Sequence, residues 1–169
     1  MRRSSPEAAV ESSPQEADPL EQALSLAYRY LDRRDRSTQE VRSHLEAKGL
    51  GAEPIAEAIG SLEGQGLLDD ARFARLFSED KRMLEQWGSE RIRSALLARG
   101  IDRNTIDAAL DGRSPQAELE QALGLLRRRF TEPPRARRER DRALGVLLRK
   151  GYDPDLALDA LAAYAGLAE

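Results

Sequence analysis

The chain has 169 residues and a formal net charge of −3 at pH 7, with 40% hydrophobic and 34% charged residues. It has no cysteine and a single histidine, His44, which excludes disulfides, thiolate metal sites and metal sites that need several histidines. A negative net charge is unfavourable for a dedicated binder of bare DNA, because such proteins are usually basic overall. No apolar run approaches the roughly 20 residues that span a bilayer, and no apolar segment follows Arg2 and Arg3 as in a secretory signal. We therefore expect a cytoplasmic protein without membrane contact.

Good helix formers dominate the chain, and the alternation of β-branched and polar residues that indicates strands is missing. The predicted fold class is therefore all-α. Residues 1–19 are rich in Ser, Pro, Glu and Ala and offer almost nothing to bury, so we predict that they form a disordered acidic N-terminal tail. The helical pattern begins after this tail and predicts a first helix over about Leu20–Arg33.

The next two helices carry clear start and stop signals. Ser37 is followed three residues later by Glu40, which forms the capping-box pattern that opens a helix. Gly49, directly after Lys48, is predicted to end that helix with a left-handed backbone conformation. The following helix is expected to carry Pro54 near its first turn, where proline is well tolerated.

The glycines reveal an internal repeat. Gly49, Gly100 and Gly151 stand 51 residues apart, and six further columns of residues keep the same spacing without a gap. A match of this length indicates tandem copies of one helical unit. The six columns are Val41/Ile92/Ala143, Leu45/Leu96/Leu147, Lys48/Arg99/Lys150, Leu50/Ile101/Tyr152, Ile55/Ile106/Ala157 and Ile59/Leu110/Leu161.

Each unit is predicted to be a leading helix followed by a pair of helices. The predicted architecture is an elongated array of three tandem three-helix repeats, over residues 20–68, 69–112 and 113–169. Because one such unit is small, we expect the units to bury their apolar faces by stacking on one another.

The second and third leading helices are predicted over about Asp70–Glu85 and Pro115–Phe130. The first of these two is expected to use its large apolar side chains for packing, namely Phe73, Phe77, Met83 and Leu84.

The adjacent pair Asp69 and Asp70 is the one carboxylate motif that stands out. Paired carboxylates can hold Mg²⁺, but an Asp directly before a helical pattern is a natural N-cap, and its neighbour favours the positive end of the helix dipole. We favour this structural interpretation. Without a phosphate-binding loop, a thiol or a histidine cluster, the chain is predicted to be no enzyme and to need no cofactor or metal.

Two aromatic residues could in principle stack on bases. Phe73 lies on the apolar face of its predicted helix, so it is predicted to be part of the core. Trp87 precedes Gly88 in a predicted loop, where packing is favoured and an exposed contact stays open.

Arginines are concentrated near the C-terminal end of the chain. Residues 113–150 contain eleven cations and five anions, a net excess of +6 in a chain that is acidic elsewhere. A solvated charged face is the ordinary explanation of such a run. A surface that contacts nucleic acid phosphates or an acidic protein surface is the alternative that we favour. Its candidate residues are Arg127, Arg128, Arg129, Arg135, Arg138 and Arg142.

The chain resembles the RecX family in an ordered set of short motifs: Tyr30-Leu31, Arg36-Ser37, Glu40-Val41, Lys48-Gly49, Gly66-Leu67-Leu68-Asp69-Asp70 and Phe73-Ala74. The resemblance continues through Gly88, Arg91-Ile92, Leu96 and Arg99-Gly100-Ile101 and covers roughly residues 20–110. Leu67 stands where the family usually has an aromatic residue. The third repeat matches in architecture more than in motif.

The resemblance implies three tandem three-helix repeats and a function. RecX-like proteins bind the RecA filament on single-stranded DNA and lie in its groove. They restrain filament growth and inhibit the recombinase, ATPase and co-protease activities of RecA. It also implies RecA as the partner. We further expect a monomer that contacts protein mainly and makes a weak direct contact with DNA secondarily. Arg36, Arg72 and Arg91 lie within the resembling segments and join the six arginines above as candidates for filament binding.

A helical-repeat protein that binds nucleic acid without RecA is the alternative function. We see no helix whose first turn groups Asn, Gln and Arg for base contacts, and the net charge is unfavourable. Generic scaffolds such as tetratricopeptide or HEAT repeats have other periods and other aromatic signatures.

Overall fold

The computed structural model describes residues 18–112 and 114–166, and within these residues every regular element is helical. The all-α prediction is confirmed. The predicted N-terminal tail lies outside the described residues, except for its last two positions. The helices are α1 Pro19–Leu31, α2 Thr38–Ala47, α3 Ala52–Gly64, α4 Asp70–Glu85, α5 Ser89–Leu97, α6 Arg103–Leu110, α7 Pro115–Arg129, α8 Arg137–Lys150 and α9 Pro154–Gly166.

The three leading helices α1, α4 and α7 lie close to their predicted bounds. α1 begins one residue early because Asp18 accepts a hydrogen bond from the Leu20 amide and Pro19 stands in the first turn. α4 has the predicted bounds. α7 ends one residue early, because Phe130 already has an extended backbone with φ −126° and ψ 127°.

The predicted start and stop signals around α2 are confirmed. The Ser37 hydroxyl accepts from the Glu40 amide at 3.1 Å, and the Glu40 carboxylate accepts from the Ser37 amide at 3.0 Å. Gly49, Gly100 and Gly151 all have the left-handed conformation, with φ values of 82°, 76° and 85°. The glycine column therefore ends the second helix of every repeat in the same way.

Three separate hydrophobic clusters form the interior, one within α1–α3, one within α4–α6 and one within α7–α9, which we call repeats 1, 2 and 3. The repeated apolar columns supply them: Val41, Ile92 and Ala143 are all fully buried. Across the described residues, the extensive helix-to-helix packing occurs inside a repeat and not between repeats. The expectation that stacking buries the apolar faces was therefore wrong, because each unit folds its three helices around a core of its own.

The predicted packing face of α4 needs a correction. Met83 and Leu84 are 78% and 79% exposed, whereas Ala74 and Ser78 are fully buried. Nine residues separate Ala74 from Met83, which is about two and a half helical turns and places Met83 on the opposite side. Small residues let α4 pack closely on α6, and the Ser78 hydroxyl is satisfied by the Ala74 carbonyl.

Hydrogen bonds at helix starts join the repeats. At the first junction, between repeats 1 and 2, the Ser37 hydroxyl donates to the Arg99 carbonyl at 2.6 Å and the Thr38 amide donates to the Asp70 carboxylate at 2.8 Å. Arg99 lies in the turn after α5, and Asp70 begins α4. The first amide of α2 thus finds its partner in the next repeat.

The second junction, between repeats 2 and 3, has a similar arrangement, in which Gly88, Ser89 and Lys150 stand 51 residues after Ser37, Thr38 and Arg99. The Gly88 amide donates to the Lys150 carbonyl at 2.8 Å, and the Ser89 amide donates to the Glu118 carboxylate at 2.8 Å. The Glu90 amide donates to the Gly151 carbonyl at 3.0 Å. The 51-residue period therefore holds for these helix starts and for the carbonyl acceptor, whereas the carboxylates Asp70 and Glu118 are 48 residues apart.

The glycine column has a second role that its backbone conformation alone does not reveal. A Cβ added at Gly151 would lie 2.5 Å from the Arg91 amide nitrogen, and one added at Gly100 would lie 2.4 Å from the Gln39 Cβ. A Cβ at Gly49 would meet no atom of the described residues within 4 Å, because neither of the other repeats docks on that turn. Gly100 and Gly151 thus allow the close approach of neighbouring repeats.

The glycine column yields a matched pair of variants. Gly49→Ala should cost about 1–2 kcal/mol in the free energy of unfolding, which is the cost of a left-handed alanine. Gly151→Ala should cost about 1–3 kcal/mol more, because the added methyl group also overlaps the backbone of Arg91. Urea denaturation of both variants measures the difference. Equal losses would show that the close approach at the second junction contributes nothing.

His44 predicts a pH dependence of stability. Its ring stacks on Tyr30 with centroids 4.0 Å apart, and burial, followed by the charges of Lys48 and Arg36, lowers its pKa below the ordinary value of 6.5. The unfolded chain then binds a proton more readily, so the stability contributed is full above about pH 6.5 and decreases as the pH falls through that value. The urea midpoint should decrease between about pH 7.5 and pH 5.5. His44→Phe keeps the ring and should remove most of that slope; an unchanged slope would contradict the assignment.

Candidate functional site

The nine candidate arginines fall into two groups, and the first group supports the fold. The side chain of Arg36 is 11% exposed, and its guanidinium carbon lies 4.1 Å from the centre of the Tyr30 ring. Its charge faces Glu40 across 4.0 Å. Arg36 thus closes the turn between α1 and α2 and presents little surface to a partner.

Arg72 and Arg91 are exposed but also make internal contacts. Arg72 Nη2 donates to the Gly66 carbonyl at 2.8 Å and holds the turn before α4. Arg91 lies over the ring of Trp87, 4.2 Å from its centre, and its Nη1 donates to the Arg149 carbonyl across the second junction at 3.0 Å. These contacts leave most of each guanidinium's N–H donors for other partners.

Trp87 serves the packing of repeat 2. Its ring meets Phe77 edge-on, with centroids 6.4 Å apart, and it joins the cluster that contains Phe73. Lys81 and Arg91 each place a cation over its ring. Packing, the favoured interpretation of Trp87, is thus what the structure shows, and Phe73 also belongs to the core as predicted.

Asp69 and Asp70 have different structural roles. Asp69 caps α4 by accepting from the Arg72 amide at 2.8 Å, as predicted. Asp70 lies in the first turn of its own helix, and its carboxylate also accepts a hydrogen bond from the first amide of α2. Among the side chains that the structure describes, no three His, Asp or Glu residues are grouped as a metal site requires. Along the same residues, no helix is both long and apolar enough to cross a bilayer.

The six arginines of the second group are exposed and lie in repeat 3. Arg129, Arg135 and Arg142 meet at a crevice of about 470 Å³ between the end of α7, the turn that follows it and α8. We call it the α7–α8 crevice. Arg127, Arg128 and Arg138 lie outside it. The structure thus brings three of the six together.

Two carboxylates also line the α7–α8 crevice, and one of them is engaged by the backbone. Glu139 accepts hydrogen bonds from the amides of Arg135 and Ala136, at 3.0 and 3.2 Å. These backbone donors, Ala136 first, lower the pKa of Glu139. The other carboxylate is Glu132. Three cations and two anions give this crevice a modest positive charge.

A second crevice, of about 390 Å³, lies at the second junction, and we call it the junction crevice. Four cations line it, together with Leu125 and Val146: Arg91, Arg129, Arg149 and Lys150. Arg129 belongs to both crevices, so they form one basic surface. Sequence reasoning did not nominate Arg149 and Lys150 as site residues. Their position directly before the docking glycine Gly151 was the available signal.

The family models that match describe the first two repeats. The model for the first three-helix domain of RecX matches residues 23–62, and the model for the second three-helix domain of RecX matches residues 69–110.

Relatives match over most of the chain. A regulatory protein RecX of Chromohalobacter salexigens is 36% identical over 150 residues, which cover 89% of this chain and 95% of that protein. A regulatory protein RecX of Thermus thermophilus is 36% identical over 139 residues, 82% of this chain and 89% of that protein.

Solved structures share the fold. The crystal structure of RecX from Lactobacillus salivarius superposes with a TM-score of 0.79 at 23% identity and covers 89% of this chain and 99% of that one. A second crystal structure, of a regulatory protein RecX, superposes with a TM-score of 0.73 at 26% identity, over 83% of this chain and 71% of that one.

Proposed function

The chain belongs to the RecX family, and we propose that it is a regulator that binds the RecA filament on single-stranded DNA and inhibits the recombinase, ATPase and co-protease activities of RecA. The observation that carries the proposal is the 36% identity to a regulatory protein RecX over nearly the whole of both chains. In this proposal the protein acts in the cytoplasm as a monomer, by binding and without a reaction of its own.

The architecture suits binding along a filament. Each repeat has its own core, so the stack does not depend on burying a continuous apolar face. An array of this kind presents successive surfaces to successive subunits of a helical partner. Occupying the filament groove would hinder the rearrangement of subunits that ATP hydrolysis and strand exchange require.

The basic surface of repeat 3 is the proposed nucleic acid contact. Six arginines of this surface are exposed and are not part of the hydrophobic core. They are Arg127, Arg128, Arg129, Arg135, Arg138 and Arg142. Arginine pairs with a phosphate through two parallel hydrogen bonds, and each pairing releases condensed counterions. Arg36, Arg72 and Arg91 remain proposals for the same filament, with smaller expected effects because each also makes internal contacts.

The proposed inhibition of the RecA ATPase can be tested directly. Adding the protein to RecA that is hydrolysing ATP on single-stranded DNA should slow hydrolysis at ratios well below one per RecA subunit, because a bound array contacts more than one subunit. Steady-state ATPase rates across a titration measure this. A rate that is unchanged at an equimolar ratio would refute the proposed function.

The proposed role of the repeat 3 arginines in filament binding can be tested with a triple variant. Arg135→Ala/Arg138→Ala/Arg142→Ala should weaken filament binding by about tenfold for each arginine–phosphate pairing that the variant removes, and it should flatten the salt dependence. Thermal unfolding should change little, since exposed substitutions usually cost within about 0.5 kcal/mol each. Filament affinity across a salt series is the measurement.

A matched control removes three exposed arginines from repeat 1 instead. Arg29→Ala/Arg33→Ala/Arg34→Ala makes the same change in net charge and should bind the filament nearly as well as wild type. Equal losses of filament affinity in both triple variants would show that net charge, and not the basic surface of repeat 3, determines binding. Equal wild-type affinity for bare and RecA-coated single strands would favour the alternative function, a nucleic-acid-binding protein that acts without RecA.

A further inference from the structure

The junction crevice concentrates positive charge without a carboxylate. Its polar lining consists of Arg91 from α5, Arg129 from α7 and the pair Arg149 and Lys150 from the end of α8. Like charges placed around one small space repel each other unless an anion lies among them. The arrangement therefore favours a bound anion over an empty crevice.

The first junction provides an internal comparison. There a crevice of about 300 Å³ is lined at three corresponding positions, since Glu40, Ala98 and Arg99 stand 51 residues before Arg91, Arg149 and Lys150. Arg99 is balanced by Glu40 in that lining, and the pKa of the other titratable base, His44, is lowered. At both junctions the helix start donates to the carbonyl at corresponding positions, Arg99 at the first and Lys150 at the second, so the docking of repeats does not require four cations.

Neutral acceptors hold two of the four cations in place. Arg91 Nη1 donates to the Arg149 carbonyl at 3.0 Å while its guanidinium lies on the Trp87 ring. Lys150 Nζ donates to the Glu85 carbonyl at 2.6 Å. Because a carbonyl or an aromatic ring carries no net charge, these contacts position both side chains without neutralising their charges.

Arg149 is also accommodated, by a glycine one turn earlier. Its guanidinium lies 3.0 Å from the place where a Cβ of Gly145 would stand, so the bare backbone leaves room for this side chain along α8. Apolar side chains, Leu125 and Val146, complete the lining. An apolar lining lowers the local dielectric constant and strengthens the pairing of an arginine with an anion.

Glu85, whose charge interacts with two of these cations, is already bonded to another lysine. Glu85 is bonded to Lys81, which is the main reason that its pKa is lowered, and Lys150 and Arg91 add smaller effects in the same direction. Because Glu85 is not part of the crevice lining, it offsets the charges of Lys150 and Arg91 only in part.

We propose that the junction crevice is a phosphate-binding site, whose ligand is a phosphate group held between Arg91 of repeat 2 and Arg129, Arg149 and Lys150 of repeat 3. Such a phosphate belongs either to the backbone of a single-stranded nucleic acid or to a free polyphosphate. Because the ligand bridges two repeats, its binding also stabilises the second junction. The site goes beyond the proposed function, since it needs no RecA.

The test uses the full chain without RecA. A fluorescent oligothymidylate of about 20 nucleotides is titrated at low salt into wild type, Arg129→Ala/Arg149→Ala and a control, Arg137→Ala/Arg140→Ala. The control removes two exposed charges from the same repeat but outside both crevices. The docking hydrogen bonds of Arg149 and Lys150 use their carbonyls, so the crevice variant keeps them.

Arg129→Ala/Arg149→Ala should lose at least about tenfold in affinity and lower the salt slope by about 1 to 2, whereas the control should change affinity less than about twofold. Inorganic tripolyphosphate serves as the competitor. If it displaces the strand from wild type and raises the thermal midpoint of wild type but not of the crevice variant, the site accepts free polyphosphate. If it does neither while the variant still loses affinity, the site is specific for a strand.

Equal affinity losses in the crevice variant and the control would overturn the proposal, because diffuse charge would then explain binding. So would an unchanged affinity in the crevice variant. Neither result depends on inhibition of RecA, so the phosphate site and the proposed function fail or hold separately.

Discussion

The amide groups in the first turn of a helix have no partner within that helix, and burying them without one costs free energy. In α2 and α5 the partner of the first amide lies in the next repeat. The amides of Thr38 and Ser89 each donate to a carboxylate at the start of a following leading helix. The left-handed glycine turns of α5 and α8 lie against the same helix starts. The stacking of three separately cored units depends on this exchange of hydrogen bonds.

Polar junctions between apolar cores explain the character of the whole surface. Since each core is complete within its repeat, the outer faces of the helices need no large apolar stripe and carry charge instead. The net charge of the chain is −3, yet the cations gather in repeat 3, around the second junction and the end of α7. A chain that is acidic on average therefore has one basic surface, which is where we place contact with phosphates.

Local signals predicted the helices well, because the capping box at Ser37, the carboxylate at Asp69 and the glycine column act within a few residues of the chain. The 51-residue period also predicted which columns are buried. Contacts between distant segments could not be predicted in this way. The capping of α2 by Asp70 joins residues 32 apart, and the junction crevice joins α5 to the end of α8. Met83 was assigned to the core because of its apolar side chain, although its angular position on α4 places it in solvent.

Two of the hydrogen bonds at the second junction join main chain to main chain: the amides of Gly88 and Glu90 donate to the carbonyls of Lys150 and Gly151. An amide or a carbonyl is present whatever side chain a residue carries. Substitutions around the junction can therefore change its charge while these two bonds are kept, provided that the glycines that permit the close approach remain. The difference between the neutral crevice at the first junction and the cationic one at the second is what this independence allows. In a protein built this way, substitutions at one junction can create a ligand site while the arrangement of the repeats is kept.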